Sequence, residues 1–376
     1  MYIDTHLFLV NDDLIPNITP VLDPTFRPKQ VYLMSSAATL NHSSRLKKIL
    51  MSNGVIAHDL FVNDAWDIEH IRDRVLELIS DFDGEIIALN ATGGSKPMSL
   101  AAYEVFRSFD KPIYCVHPET DNVVWMLPRD RKSFDLADRI KLPLFFTAHD
   151  LRIISSKSGA ISQKLRELTS LLVSNTGKYS RVLSILNYFA SESEGTLLSP
   201  VQRDEHLRDQ DLQETIKRLA DLGLLSVDSK FRLRFMSEEA RFFVNGGWLE
   251  EHVFSVLAGL SSIQDLARNV DFVWDEKESP VKNEIDAVFL ADNRLYLIEC
   301  KTKNFECKQS DADEVLYKLD TLRDYLGGKE ARAMFVSYNR IPAIHKKRAE
   351  ELGIVVCEGN CIKNISNEFA EWVRKR

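Results

Sequence analysis

Two acids and a lysine stand close together between Asn283 and Lys301, at spacings that could turn a water molecule against a phosphodiester. The stretch reads Asn-Glu-Ile-Asp-Ala-Val-Phe-Leu, then Ala-Asp-Asn-Arg, then Leu-Tyr-Leu-Ile-Glu-Cys-Lys. Short apolar runs flank Asp292 and Asn293, which both tolerate positive φ, so the pattern predicts a β-hairpin with a two-residue turn. In that register Leu290 faces Leu295, Asp286 faces Glu299 and Glu284 faces Lys301. Side chains alternate along a strand, so these four charged residues share one face, with Ile285, Ala287, Ile298 and Cys300 on the other. Opposed carboxylates in an apolar sheet repel each other, and a divalent metal with Lys301 beside it would hold them.

Asp286 followed by Glu299-Cys300-Lys301 at the end of the next strand resembles the Asp…Glu-x-Lys signature of the PD-(D/E)XK nuclease superfamily, with Ile285 where proline commonly stands. The resemblance implies Mg²⁺ or Mn²⁺ on Asp286, Glu299 and a backbone carbonyl, with Lys301 orienting or helping to deprotonate the attacking water. The chemistry agrees, because phosphodiester hydrolysis needs phosphate charge neutralised and a water made nucleophilic. Upstream, Gly246-Gly247 precedes a helix from Trp248 to Leu257 with Val253, Phe254 and Leu257 on its apolar face. Glu250 lies on that face, whereas Glu251 lines up with Ser255 and Ala258. The superfamily commonly aims a glutamate of its first helix at the site, which makes Glu250 the third acid and third metal ligand; a first-turn glutamate favoured by the helix dipole is the other reading. Downstream, Asp311 to Leu326 reads as a helix with Val315, Leu319, Leu322 and Leu326 inward. Lys318 borders that stripe, either assisting the phosphate or simply solvated.

The elements that must position these groups belong to a chain of 376 residues, long enough for two or three domains. With 44% hydrophobic and 28% charged residues and no apolar run of bilayer length, no membrane span is expected. The opening Met-Tyr-Ile-Asp-Thr-His-Leu-Phe-Leu-Val lacks a signal peptide's basic leader and reads as a strand. Cys115, Cys300, Cys307, Cys357 and Cys361 are few and odd in number, which implies a reducing cytoplasm; Cys357 and Cys361 make at most half a zinc site. The net charge of −8 constrains the whole surface but not a cleft. Lys346, Lys347 and Arg348 near His345, and the terminal Arg374-Lys375-Arg376, read as solvated basic clusters.

Up to about Leu142 the chain alternates strand and helix. Strands are expected over His6 to Val10, Gln30 to Met34, Val55 to Phe61, Ile86 to Leu89, Ile113 to Val116 and Val123 to Met126, interleaved with helices. Such βα alternation predicts a Rossmann-like parallel sheet that binds ligands at the carboxyl ends of its strands. The sharpest feature is Asn90-Ala91-Thr92-Gly93-Gly94-Ser95-Lys96-Pro97: glycines allow close approach to an anion, and Pro97 suits a first helical turn. A tight turn alone would also use two glycines. No Walker A motif and no complete Gly-x-Gly-x-x-Gly is present.

Thr92 to Lys96, with Asn11 and Asp12 after the first strand and Ser35-Ser36 after the second, resembles a CARF domain, the CRISPR-associated Rossmann-like sensor of cyclic oligoadenylate. The resemblance implies a homodimer with the ring-shaped messenger across its two-fold axis. It carries Asn11, Asp12, Ser35, Ser36, Thr92, Gly93, Gly94, Ser95 and Lys96 as ligand-contact residues.

Ser155 to Gly177 reads as a Ser-rich connector. Helices at Tyr179 to Ala190 and Asp209 to Leu222, then a hairpin around Asp228-Ser229-Lys230, make a winged-helix pattern. Acids outnumber bases on its second helix, so a structural or dimer-relaying role fits better than DNA reading. After the hairpin, strands at Ala333 to Ser337 and Ile354 to Cys357 alternate with helices at Pro342 to Leu352 and Asn367 to Arg374. With a first strand at Asp271 to Trp274, they match the αβββαβ core of PD-(D/E)XK enzymes.

The expected architecture is α/β: a CARF domain over 1–150, a connector and winged-helix-like domain over 151–237, and a PD-(D/E)XK, restriction-endonuclease-like domain over 238–376. This order resembles the CRISPR ancillary nucleases that join the two outer domains. It implies a type III CRISPR effector in the cytoplasm, switched on by cyclic oligoadenylate, cyclic tetra-adenylate above all. Its substrates would be single-stranded RNA or DNA, or nicked supercoiled DNA. Two rivals stand beside it: a ligand-responsive winged-helix transcription regulator with an inactive C-terminal domain, and a restriction-type nuclease with no messenger input.

Overall fold

The computed structural model describes residues 3–82, 85–274, 281–305, 310–327 and 330–374. In the N-terminal part, β1 (Thr5–Leu9), β2 (Gln30–Ser35), β3 (Ile56–Phe61), β4 (Ile87–Asn90) and β5 (Ile113–Val116) alternate with α1 (Ile15–Leu22), α2 (Leu40–Ser52), α3 (Ile68–Asp81) and α4 (Lys96–Ser108). β6 (Asn122–Leu127) and β7 (Phe134–Asp135) follow. Their order is β3-β2-β1-β4-β5-β6-β7. β1 and β4 are buried along their whole length, as strands covered by helices on both faces must be. The sheet is parallel from β3 to β5, but β6 and β7 run antiparallel, which corrects the expectation of an all-parallel sheet. The link from Val116 to Asn122 is too short for a crossover helix, so the chain can only double back. Because β1 lies between β2 and β4, the winding reverses there and a crevice opens at the carboxyl ends of those strands.

The middle of the chain contains α5 (Leu142–Ala148), β8 (Leu151–Lys157), α6 (Gln163–Ser174), α7 (Thr176–Ser191), β9 (Leu198–Val201), α8 (Asp204–Arg208), α9 (Gln210–Asp221), β10 (Leu225–Val227) and β11 (Arg232–Phe235). β9 adds a third strand to the expected wing, in the order β10-β11-β9. Leu212, Thr215, Ile216 and Leu219 point inward from α9, while Asp209, Asp211 and Glu214 pair with Arg181, Lys178 and Arg218.

The rest comprises α10 (Glu238–Phe242), α11 (Trp248–Leu257), β12 (Asp265–Trp274), β13 (Asn283–Ala291), β14 (Arg294–Lys301), α12 (Ser310–Gly327), β15 (Arg332–Ser337), α13 (Ala343–Glu351), β16 (Val355–Glu358) and α14 (Ile365–Arg374). Their sheet has the order β16-β15-β14-β13-β12-β8. Residues Leu151–Lys157, expected to begin a connector, instead form its edge strand. Only Leu151 of that strand is buried, and a one-sided edge strand leaves too little alternation to read before its distant partner is known.

Two apolar cores hold the halves together. One runs from Phe8, Val31 and Leu46 through Phe145 and Leu151 to Phe272, Val288, Leu297 and Leu319. The other joins Leu172, Leu183 and Phe189 of α6 and α7 to Phe289, Ile298, Cys300 and Trp372. That second core also contains Trp248, Val253 and Leu257 of α11 and Phe369 of α14, so the winged-helix segment packs onto the second sheet's opposite face together with these two helices.

Cys357 and Cys361 are bonded to each other, with Cα atoms 5.4 Å apart, where free thiols were expected. Cys115 and Cys300 are free, and Cys307 lies outside the described residues. Lys346 and Arg348 pair with Glu358 and Glu351; Lys375 and Arg376 also lie outside the described residues.

Gly93 marks the tightest joint of the first sheet: a Cβ there would stand 2.2 Å from the Leu9 carbonyl oxygen. Gly93→Ala is expected to destabilise the protein by roughly 1–3 kcal/mol. Gly159→Ala, with open space around it, should stay within about 0.5 kcal/mol of the parent, with thermal or urea unfolding as the measure.

Candidate active site

Asp292 and Asn293 take φ of 50° and 54°, the pair of left-handed residues that a tight turn between twisted strands requires. The ladder then pairs Ala291 with Arg294, Leu290 with Leu295, and so on to Ala287 with Ile298. There it opens: the Cys300 amide donates to Asp286 Oδ2 at 2.7 Å, so the carboxylate takes a backbone partner's place. Glu284 is exposed and pairs with Asp271 of β12, not with Lys301, which corrects the expected set of four facing charges. Ile285 also leaves its expected face and joins Val270 and Phe272 in the core that holds Val288. The cause lies next door, where Asn269 (φ 48°) sits between the residues opposite Ala287 and Ile285 and breaks the alternation of β12.

The acids and the lysine do meet. Lys301 Nζ lies 2.7 Å from Glu299 Oε1 and 3.4 Å from Asp286 Oδ2. Lys318 Nζ reaches Glu299 Oε1 and Oε2 at 3.0 and 3.1 Å, so it is an ion-pair partner and not merely a solvated residue of α12. Glu299 is 2% exposed. Glu299, Lys301, Lys303, Phe305, Glu314, Val315 and Lys318 line a cavity of about 340 Å³. Glu250 comes in from α11, buried, and accepts from Asn269 Nδ2 at 2.7 Å; Glu251 is held apart by Arg268 at 2.9 Å.

Several positioning residues escaped the sequence reading. The Thr302 hydroxyl bonds the Asn187 amide of α7 at 2.9 Å, and Asn339 Nδ2 donates to the Thr302 and Lys303 carbonyls. A Cβ on Gly246 (φ 111°) would stand 2.4 Å from Thr302 Oγ1, so this glycine lets the start of α11 close onto the strand end. Its Gly-Gly pair was the one visible signal.

At the other end, Asn11, Asp12, Ser36 and Thr92–Lys96 lie past the carboxyl ends of β1, β2 and β4, and Ser35 is the last residue of β2. Thr92 Oγ1 donates to Asn90 Oδ1 at 2.6 Å and accepts from the Val116 amide at 2.7 Å. Ser95 caps α4 at the Met98 amide and donates to the Ala65 carbonyl. Ser36 closes a capping box with Thr39, and both Ser35 and Ser36 are buried. These hydroxyls shape the loop, while the Lys96 ammonium is exposed and Asn11 Oδ1 is buried with no partner among the described residues.

Residues 5–143 match the family model of the Card1 CARF domain, and residues 237–376 match that of the Card1-like endonuclease domain. This chain joins a Card1 CARF domain to a Card1-like endonuclease domain. Protein VC1899 from Vibrio cholerae superposes with a TM-score of 0.89 at 29% identity, over 98% of either chain. Can2 from Sulfobacillus thermosulfidooxidans, solved with cyclic tetra-adenylate, gives 0.82 at 26% identity over 98% of this chain and 99% of its own. A type III CRISPR defence DNA nuclease activated by cyclic oligoadenylate shares the fold alone, at a TM-score of 0.56 and 17% identity over 90% of this chain and 45% of that one. No curated protein matches the chain.

The electrostatics of this CARF endonuclease ask for a cation. Burial first, then Glu299, raises the Asp286 carboxyl from 3.8 to about 6. Burial and Asp286 likewise push Glu250 well above its usual range. Burial works to lower the Lys301 ammonium, but Asp286 and Glu299 outweigh it and hold it above its ordinary value. Among the described residues no three acids, histidines or cysteines form a ready-made ligand set. Two carboxylates sharing one ammonium nevertheless suit a hard cation with oxygen ligands, the rest of its shell being water or substrate. Asp286 titrates above its unfolded value, so its protonated form favours the fold at low pH, and that contribution fades as pH rises through about 6. A bound cation must displace the proton. Mn²⁺ is thus expected to raise the melting midpoint more at about pH 7.5 than at about pH 5, and not at all in Asp286→Asn; equal shifts under all three conditions would contradict the site.

Proposed function

We propose that this protein is a cyclic-oligoadenylate-activated, metal-dependent endonuclease of type III CRISPR defence, with a PD-(D/E)XK active site. The carrying observation is the Lys301 ammonium shared by Asp286 and Glu299 beneath an open cavity. Asp286 and Glu299 would hold Mg²⁺ or Mn²⁺, which supplies phosphate neutralisation and a more acidic water. Lys301, an ammonium in this structure, would orient that water by donating a hydrogen bond to it, and would act as its base only after releasing its own proton once the carboxylates beside it are engaged. Lys318 offers the scissile phosphate a second positive charge. Glu250 stands behind Asp286 as a third acid, its carboxyl pushed upward by burial and by Asp286.

Activation follows from the CARF half. The loop Thr92–Lys96, the amides opening α4, Asn11, Asp12, Ser35 and Ser36 are the ligand-contact set, with Lys96 supplying charge for a phosphate. Can2, similar over nearly the whole chain, was solved with cyclic tetra-adenylate, and that ring is the messenger proposed here. A homodimer would place two such loops across an axis that the ring shares. Trp66 (75% exposed) and Leu100 (65% exposed) flank the loop, since the Ala65 carbonyl is bonded to Ser95, and such apolar area suits a buried dimer face. Single-stranded RNA or DNA, or nicked DNA, in the cytoplasm is the proposed substrate. No described helix is long and apolar enough to cross a membrane. The duplex-reading rival lacks a basic helix, because the acids of α9 outnumber its bases, and Asp211 and Glu214 are paired with Lys178 and Arg218.

The test is cleavage of single-stranded DNA and RNA with Mn²⁺, with and without each cyclic oligoadenylate. Asp286→Asn and Lys301→Ala should each lower ligand-stimulated cutting by about 100-fold or more while ligand affinity survives. Lys96→Ala should do the reverse, shifting the ligand concentration for half-activation upward by about tenfold while leaving the saturated rate near the parent's. Equal loss of both functions in all three variants would defeat the division of labour.

A further inference from the structure

The turn of the catalytic hairpin does not face solvent. It is inserted into the CARF domain, and Asn293, 3% exposed, spends its side chain there. Asn293 Nδ2 donates to Asp121 Oδ2 at 2.6 Å and to the Ala137 carbonyl at 3.2 Å, while Asn293 Oδ1 accepts from the Ile140 amide at 3.2 Å. Gln264, just before β12, completes the joint by accepting from the Asn293 amide and donating to both Asn293 Oδ1 and the Ile140 carbonyl. The adjoining Asp265 accepts from the Leu142 amide at 2.8 Å.

On the CARF side, Asp121 lies one turn from the messenger loop. Its amide donates to the His117 carbonyl at 2.9 Å, and the preceding residue, Val116, donates from its own amide to Thr92 Oγ1. On the nuclease side, the ladder runs from Ala291–Arg294 to Ala287–Ile298, the pair directly adjoining Asp286 and Glu299 in the two strands. A closed ladder moves as one piece, so a shift of the loop carrying Thr92 has a bonded route to both carboxylates.

We infer that Asn293 is a positioning residue, the joint through which the CARF loop sets the placement of Asp286 and Glu299 on the catalytic hairpin. The inference rests on the messenger-activated reading above and deepens it. It differs from a plain structural role in one consequence: loosening the joint must change how strongly the messenger stimulates cutting, not only how well the protein folds.

The experiment measures the ratio of cutting rates with and without cyclic tetra-adenylate, alongside messenger affinity and melting midpoint, in the full-length protein. Asn293→Gly keeps the positive φ and removes the side-chain bonds. It should lower the stimulation ratio by about tenfold or more, while messenger affinity stays within about threefold of the parent. As a second route, Asn293→Asp sets two carboxylates against each other, and adding Asp121→Asn restores a donor and an acceptor at that contact; stimulation should fall in the first and recover in the pair. A ratio unchanged in Asn293→Gly, a proportional loss of both rates, or no recovery in the paired variant would overturn the inference. If the parent protein cuts equally with and without every ring tested, the activation reading itself fails and takes the inference with it.

Discussion

A half-buried ammonium shared between two buried carboxylates is the constraint to which the nuclease half is built. Asp286 and Glu299 cannot both be ionised in an apolar sheet without positive charge, and Lys301, reinforced by Lys318, supplies it in this structure. Much of the surrounding detail serves that meeting. The Cys300 amide leaves the ladder to bond Asp286, the positive φ of Asn269 lets Ile285 turn into the core, and Gly246 lets α11 bring Glu250 close. A site of this kind is poised and not at rest: the raised Asp286 and Glu250 favour protons where a cation would compete for them.

The same sheet is also what makes the protein one machine. Its two faces are covered by different parts of the chain, one by the core continuous with the CARF sheet and the other by α11 and α14 together with the winged-helix segment. Thr302, one residue past Lys301, is held by Asn187 of α7 and by Asn339, while the far end of the hairpin is held by Asp121 and Ile140. The catalytic hairpin thus has an anchor at each end in a different neighbour.

The sequence made the hairpin legible because two signals coincide there: a turn pair that accepts positive φ and apolar runs that fix a register. The same logic placed the loop after β4, where Gly93 and Gly94 follow an apolar strand. What could not be read depends on partners far along the chain. β8 is an edge strand whose identity appears only beside β12, and the lost alternation at Ile285 follows from a kink in a different strand. Lys318 looked solvated because helical periodicity says which face a residue borders, not that an acid waits across the gap. Asn187 and Asn339 carry no pattern, and Asn293 was legible as a turn residue but not as a hydrogen-bonding joint, since an asparagine shows that use only when the backbone groups it serves are in place.

The most direct measurement is anomalous diffraction from crystals of this protein soaked with Mn²⁺. Expected is a peak in contact with both Asp286 and Glu299, with the Lys301 ammonium withdrawn from the space between them. A protein saturated with Mn²⁺ at other positions, in which Lys301 still bridges the two carboxylates, would contradict the assignment of this cluster as a cation-dependent cutting site.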